Sequence, residues 1–325
     1  MTETAESSRP TERAEGLNIV ILAGGISHER DVSLRSGRRA ADALAGLGHR
    51  VTILDADAAL LPTLASLKPD VIWPVLHGAI GEDGALLSLL GTTGIPTVGP
   101  LGPAAALAWS KPTAKELVAR AGMATPRSVS LSRETFRDLG ANNVLSSVIH
   151  SLGTPLVVKP ANGGSAQGVS IVTQAEDLPR AMVDAYTYSD VALIEQQITG
   201  TELGVTVINT GEGPVALPAV EIVPRDGVYS FEARYNAGET LFYAPARVES
   251  SLADHAAEVA VAIHDLLGLR QLSRVDLIVD AEGTVWFLEV NTLPGLTETS
   301  LVPQAIVAAG ENLGQVYDSI VRAAQ

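Results

Sequence analysis

Residues 274–291 read RVDLIVDAEGTVWFLEVN. Two apolar runs rich in β-branched and aromatic residues flank a polar, glycine-containing turn, so the stretch is expected to form two adjacent strands. Arg274 and Asp276 stand i, i+2 on the first strand, and Glu289 and Asn291 stand i, i+2 on the second. Side chains at that spacing share one face of a strand. With matched registers, two carboxylates and one amide oxygen meet on that face. Such an all-oxygen set suits Mg²⁺ (or Mn²⁺) that also touches substrate phosphates. A solvent face of alternating polar residues has the same spacing. Against it, VWFLEVN is otherwise apolar, and burying Glu289 without a metal or partner would be costly.

Working outward from this hairpin, GVTVINT (204–210), LPAVEIV (217–223) and TLFYAPARV (240–248) read as further strands of a largely antiparallel sheet, with helices at about 252–267 and 311–323. Upstream, PLVVKPA (155–161) and GVSIVT (168–173) flank the loop NGGSAQG. Helices are expected over 113–122 and around 175–186, and VALIEQQ (191–197) as a strand. The first block alternates differently. LNIVILA (17–23), RVTILDA (50–56) and DVIWPVL (70–76) are strands separated by a helix over 33–47, and EDGALLSLL (82–90) opens another. A β-α-β-α order implies a parallel sheet. The chain is therefore read as α/β plus α+β. Its units are a disordered tail (1–16), an N-terminal α/β domain (17–112), a central subdomain (113–200) and a C-terminal domain (201–325).

Composition narrows the function classes. The 325 residues suit two or three ordinary domains, and with only 4% aromatics the cores must be built mostly from Ala, Val, Leu and Ile. There are 22 basic and 37 acidic residues, a net charge of -15, which repels nucleic acid and anionic membranes. Cysteine is absent, which excludes disulfides, thiolate metal sites and cysteine nucleophiles and fits a reducing cytoplasm. The polar first residues lack the apolar core of a secretory signal, and no apolar run is long enough to span a bilayer.

Neither the Walker pattern nor GxGxxG after the first strand is present. Lys159 instead precedes Pro-Ala-Asn-Gly-Gly-Ser165-Ala-Gln-Gly168, whose glycines let backbone N–H groups approach a polyphosphate, although a flexible hairpin loop reads the same way. Gly24-Gly25-Ile-Ser-His-Glu29-Arg-Asp-Val-Ser33 ends the first strand, where α/β ligand sites lie and where Glu29 could receive an ammonium; a capping segment is the plainer reading. His77-Gly78 and Gly81-Glu82-Asp83-Gly84 follow the third strand at the same sheet edge, and a lone histidine there is more often structural. Asn291-Thr-Leu-Pro-Gly295-Leu-Thr-Glu-Thr-Ser300-Leu301 is expected to turn into a helix start, whose free N–H groups suit a carboxylate or oxyanion.

Together GGISHERDVS, HGAIGEDG, KPANGGS, RVD with EVN, and NTLPGLTETS resemble the D-alanine–D-alanine ligase family of the ATP-grasp superfamily, in order, from about Asn18 to Pro303. The resemblance implies the ATP-grasp fold and ATP-dependent, ADP-forming ligation of two D-alanines for peptidoglycan. By motif match, Lys111, Lys159 and Ser165 would contact phosphates, Glu195, Gln197 and Ile198 would border the adenine, and Glu202 the ribose. Asp276, Glu289 and Asn291 would hold two Mg²⁺. Glu29 would bind the first ammonium, Ser300 and Leu301 the second carboxylate, and His77 would join the substrate site. Arg274 and the Gly295 N–H would stabilise the oxyanion, while Tyr235 would cover the site on a mobile loop and bond towards Ser165 and Glu29. A cytoplasmic homodimer is implied as well.

Departures from the family pattern are Trp109-Ser110 before Lys111, Arg234 before the loop tyrosine, Ala166 in the phosphate loop and Phe231 in the covering loop. They bear on substrate preference and rate more than on reaction type. Rival readings are an ATP-grasp ligase with a different second substrate (D-lactate, D-serine or a biosynthetic amine) and a nucleotide-binding regulatory protein without catalysis.

Overall fold

A computed structural model describes residues 16–225, 227, 229 and 238–325. Tyr235, Arg234 and Phe231 lie outside the described residues. Apolar β1 (Asn18–Leu22) pairs in parallel with β2 (Arg50–Leu54) and β3 (Val71–Pro74), in the order β2-β1-β3. The parallel crossover is made by α1 (Arg30–Ala45) and α2 (Leu60–Leu67). α1 begins earlier than the expected residue 33, directly after Glu29. The expected helix through 82–90 is two pieces, α3 (Ala79–Glu82) and α4 (Ala85–Gly91). Gly84 separates them at φ +87°, and a Cβ there would meet the Gly102 carbonyl at 2.1 Å.

α5 (Gly102–Trp109), which the sequence reading did not anticipate, leads into α6 (Lys111–Arg120). α6 starts two residues before expected, because Pro112 sits at the helix N-terminus, where a missing N–H costs nothing. The second sheet is β4 (Ser128–Ser132), β5 (Leu156–Pro160), β6 (Ser170–Val172) and β7 (Val191–Gln196), entirely antiparallel in the order β4-β7-β5-β6. β4 and the helices α7 (Arg133–Leu139) and α8 (Ala141–Leu152) were not anticipated either; α9 (Leu178–Tyr186) covers the sheet where a helix was expected.

The third sheet contains β8 (Thr201–Asn209), β9 (Pro214–Ala216), β10 (Val220–Pro224), β11 (Thr240–Tyr243), β12 (Leu272–Val279) and β13 (Val285–Asn291), all paired antiparallel. β11 stops well short of the expected residue 248; Pro245 follows, and proline cannot donate to a ladder. α10 (Ser250–Leu266) packs on one face with Val275, Leu277 and Phe287. α11 (Leu301–Ala308) packs on β8 and β10 and α12 (Leu313–Arg322) on α1, and both join the core of the first sheet, with the Tyr317 ring edge-on to Trp73 at 5.1 Å. The N-terminal sheet and the C-terminal residues thus share one core, and Arg270 extends the seam by donating to the carbonyls of Gly99 and Thr97, both at 2.7 Å.

Beneath the third sheet, His264 is fully buried with Nδ1 2.8 Å from Ser273 Oγ. Burial pushes its pKa down to about 4, against the pull of Asp265. An unfolded imidazole titrates near ~6.5, so the unfolded chain takes up the proton first and stability falls as pH drops from there towards the folded value. We expect His264 to contribute about 2 kcal/mol at neutral pH that is lost by pH ~5, a loss missing from His264→Gln. Urea unfolding of both proteins at the two pH values measures it, and equal acid sensitivity would refute it.

Candidate active site

Two adjoining cavities open where the three sheets meet. The first, about 270 Å³, is lined by Lys111, Lys159, Glu195, Gln197, Ile198, Glu202, Asp276 and Glu289. The second, about 430 Å³, is lined by Glu29, His77, Ser165, Arg274, Asn291, Gly295, Ser300 and Leu301, and again by Lys111 and Glu289. Every candidate residue except Tyr235, which lies outside the described residues, therefore borders one of two neighbouring spaces. Their shared wall consists of Lys111, Gly163, Gly164, Tyr229 and Glu289.

The loop after β5 holds its shape through backbone geometry. Ser165 and Ala166 both adopt left-handed conformations, φ +54° and +56°, unusual for residues with a Cβ. The loop closes on itself through the Gln167 N–H, which donates to the Gly164 carbonyl at 3.3 Å. The Ser165 hydroxyl donates to Glu29 Oε1, tying this loop to the segment after β1. That segment is anchored in turn: Arg30 pairs with Asp55 at 2.6 Å and donates to the Gly25 carbonyl at 2.7 Å.

On the third sheet the register brings Arg274 opposite Asn291 and Asp276 opposite Glu289. Beyond Asp276 the register shifts, so that Leu277 faces Phe287 and Leu288 is the extra residue of a bulge. Phe287 consequently turns into the core while Glu289 turns to the cavities. Arg274 grips Asp276 with two bonds of 2.7 and 2.8 Å. Burial alone would loosen the guanidinium's proton, but the Asp276 and Glu289 charges hold it above its ordinary range. Lys111 sits 3.0 Å from Glu289 Oε2 and donates to the Gly163 carbonyl at 2.6 Å.

Asp276, Glu289 and Asn291 offer only oxygen donors, and Arg274 and Lys111 neutralise the two carboxylates. Among the described residues no cluster of three His, Cys, Asp or Glu could cage an ion by itself. The donor set fits Mg²⁺, which keeps part of its shell for substrate phosphates, and does not fit a closed protein site. Gly295 lies in the turn that leads, as expected, into a helix start: the N-terminus of α11 falls at Ser300 and Leu301. Its lack of a side chain still matters, since a Cβ there would meet Ser300 Oγ at 2.8 Å.

His77 and Glu82 form the floor beneath Glu29. Burial lowers the His77 pKa against the opposing charge of Glu29, so the ring is neutral at physiological pH. Burial, together with Glu29, pushes Glu82 up to about 8, and its Oε2 accepts the Gly78 N–H at 2.8 Å. The sequence reading missed Glu82 and Lys115 as individual side chains. Lys115 is 2% exposed, with Nζ 2.9 Å from Glu195 Oε2; Lys159 Nζ lies 2.5 Å from Glu195 Oε1. The only signal for Lys115 was its i+4 spacing from Lys111 on one helix.

A model of the D-ala D-ala ligase C-terminus family matches residues 117–322. A D-alanine–D-alanine ligase from Anaeromyxobacter sp. (strain Fw109-5) is 40% identical, over 92% of this chain and 93% of that protein. One from Gloeobacter violaceus is 39% identical, over 94% and 98%. Among solved structures, the VanG D-Ala:D-Ser ligase from Enterococcus faecalis superposes with a TM-score of 0.81 at 26% identity, over 96% of this chain and all of that one. The Bacillus anthracis D-alanine–D-alanine ligase complexed with ATP superposes with a TM-score of 0.78 at 25% identity, over 95% and 97%.

Proposed function

The chain belongs to the D-alanine–D-alanine ligase family, and on that premise we propose that it joins two D-alanines to D-alanyl-D-alanine at the expense of ATP, for peptidoglycan synthesis. The observation that carries this is the pair of cavities meeting at Lys111 and Glu289. A nucleotide in the first would present its γ-phosphate to a carboxylate in the second. Gln197 and Ile198 border the adenine, Glu202 the ribose, and Lys159, Lys111 and the loop N–H groups hold the phosphates. Glu29 receives the ammonium of the first D-alanine, and Arg274 orients its carboxylate. That carboxylate attacks the γ-phosphorus, and ADP leaves. The amine of the second D-alanine, its carboxylate held at Ser300 and Leu301, then attacks the acyl-phosphate carbonyl. Arg274 and the Gly295 N–H stabilise the oxyanion as phosphate departs. The residues act by positioning and charge neutralisation.

Asp276, Glu289 and Asn291 would hold two Mg²⁺, which supply charge neutralisation to the phosphates. Tyr235, which lies outside the described residues, completes the proposal as a cover over the site. No helix of the described residues is long and apolar enough to cross a membrane; a cytoplasmic homodimer is part of the proposal.

We expect phosphate release with D-alanine and none with L-alanine alone. His77, the histidine lining the second cavity, is kept neutral by burial, so no imidazolium opposes an incoming ammonium. In competition among equal D-alanine, D-lactate and D-serine, the dipeptide D-alanyl-D-alanine should dominate from pH ~6 to ~9. Separation of the products checks this. Dominant depsipeptide at the acid end, or a dominant D-serine product, would replace the second substrate in this reading.

A further inference from the structure

The mechanism leaves one buried cation without a task. Lys115 borders neither cavity. Its Nζ lies 2.9 Å from Glu195 Oε2 and donates to Thr125 Oγ1 at 2.7 Å, and that hydroxyl donates to the Phe287 carbonyl at 2.9 Å. Lys159, which does line the first cavity, holds the other oxygen of the same carboxylate at 2.5 Å. One carboxylate is thus shared by two ammonium groups. Glu195, Lys115 and Lys159 are 2%, 2% and 7% exposed, so water cannot stand in for a missing partner.

We propose that Lys115 is a positioning residue for the nucleotide phosphates: it keeps Glu195 neutralised, so that Lys159 is free to turn from that carboxylate to phosphate oxygens. The proposal rests on the reading of the first cavity as the ATP site. If Lys159 were the sole counterion, every phosphate contact it made would strand a buried carboxylate, and that cost would oppose nucleotide binding. With Lys115 in place the cluster carries one positive charge in excess, and Glu195 keeps a partner after Lys159 moves. The thread from Lys115 through Thr125 to Phe287 orients the ammonium from β13, the strand that also bears Glu289. Burial, with Lys159 nearby, lowers the Lys115 pKa to about 8 against the pull of Glu195, so the ammonium form still predominates at neutral pH.

The test is binding of ATP and of adenosine, which lacks phosphates, to wild-type protein and Lys115→Met by calorimetry, with steady-state kinetics alongside. We expect ATP affinity and KM for ATP to worsen ~10-fold or more, with kcat at saturating ATP within about 3-fold, adenosine affinity unchanged, and most of the loss recovered in Lys115→Arg. Unchanged ATP affinity, or equal weakening of ATP and adenosine, would show a merely structural lysine and overturn the proposal. If Lys115→Met does not fold, Glu195→Gln is compared with Lys115→Met/Glu195→Gln. Without a carboxylate to hold, removing Lys115 should change ATP affinity less than about 2-fold, and a change of ~10-fold overturns the proposal. A wild-type chain that binds no ATP would instead overturn the reading of the cavity itself.

Discussion

Arg274→Met is expected to lower kcat/KM for D-alanine by about two to three orders of magnitude, with most of the loss in kcat. In the proposed mechanism the guanidinium stands where charge develops on the reacting carbonyl, and removing one such donor costs about 10²–10³ in rate. The substitution has a second effect that separates it from a simple loss of contact. Asp276 is 4% exposed and its two oxygens are held by Arg274 at 2.7 and 2.8 Å. Leaving that carboxylate buried and unpaired should destabilise the fold by about 3–5 kcal/mol. Urea unfolding of Arg274→Met beside Arg274→Met/Asp276→Asn distinguishes the two: the double variant should regain much of the stability and none of the activity. A single variant as stable and as active as wild type would remove Arg274 from the mechanism.

Glu289→Gln should cut turnover about 10²-fold and raise the Mg²⁺ concentration needed for half activity at least ~10-fold, with the fold intact. Glu289 is the anion common to both cavities, opposite Asp276 and paired with Lys111 at 3.0 Å. A glutamine retains the shape and one oxygen but no charge, so ion affinity should fall more than nucleotide affinity in Mg²⁺-free buffer. Indeed, freeing Lys111 from its partner should leave metal-free ATP binding as tight as in wild type, or tighter. Titration of ATP with and without Mg²⁺ reads this directly. Wild-type activity at limiting Mg²⁺ would exclude Glu289 as a ligand.

Much of this site was legible along the chain because its parts are local. The i, i+2 spacing of Arg274 with Asp276 and of Glu289 with Asn291 follows from strand geometry alone, and the glycines of NGGSAQG announce a loop that can approach an anion. Lys115 was not legible, because a lysine on a helix with Glu116 and Arg120 reads as part of a solvated face. Only the packing of α6 against β13, with the Glu195 side chain of β7 closing over Lys115, removes it from water. The elements between residues 126 and 154 were missed for a related reason: short strand β4 and polar helix α7 have no strong apolar period, and α7 contributes no fully buried residue.

What the sequence by itself determined is which side chains share a strand face and which segments can turn, since both depend on neighbours a few residues apart. It also determined the acidic, cysteine-free character of the chain. The tertiary structure decided two further things. One is the bulge at Leu288: strict alternation would put Phe287 on the same face as Glu289, and the extra residue sends the ring to the core and the carboxylate to the cavities. The other is convergence. Glu29 follows a strand of the first sheet, Ser165 follows one of the second and Arg274 stands on the third, and the Glu29–Ser165 bond spans 136 residues. Burying the shared core of the first sheet with α11 and α12 brings the segment after β1 to the third sheet, and the Ser165–Glu29 bond ties the loop after β5 to it, long-range contacts that no local spacing encodes.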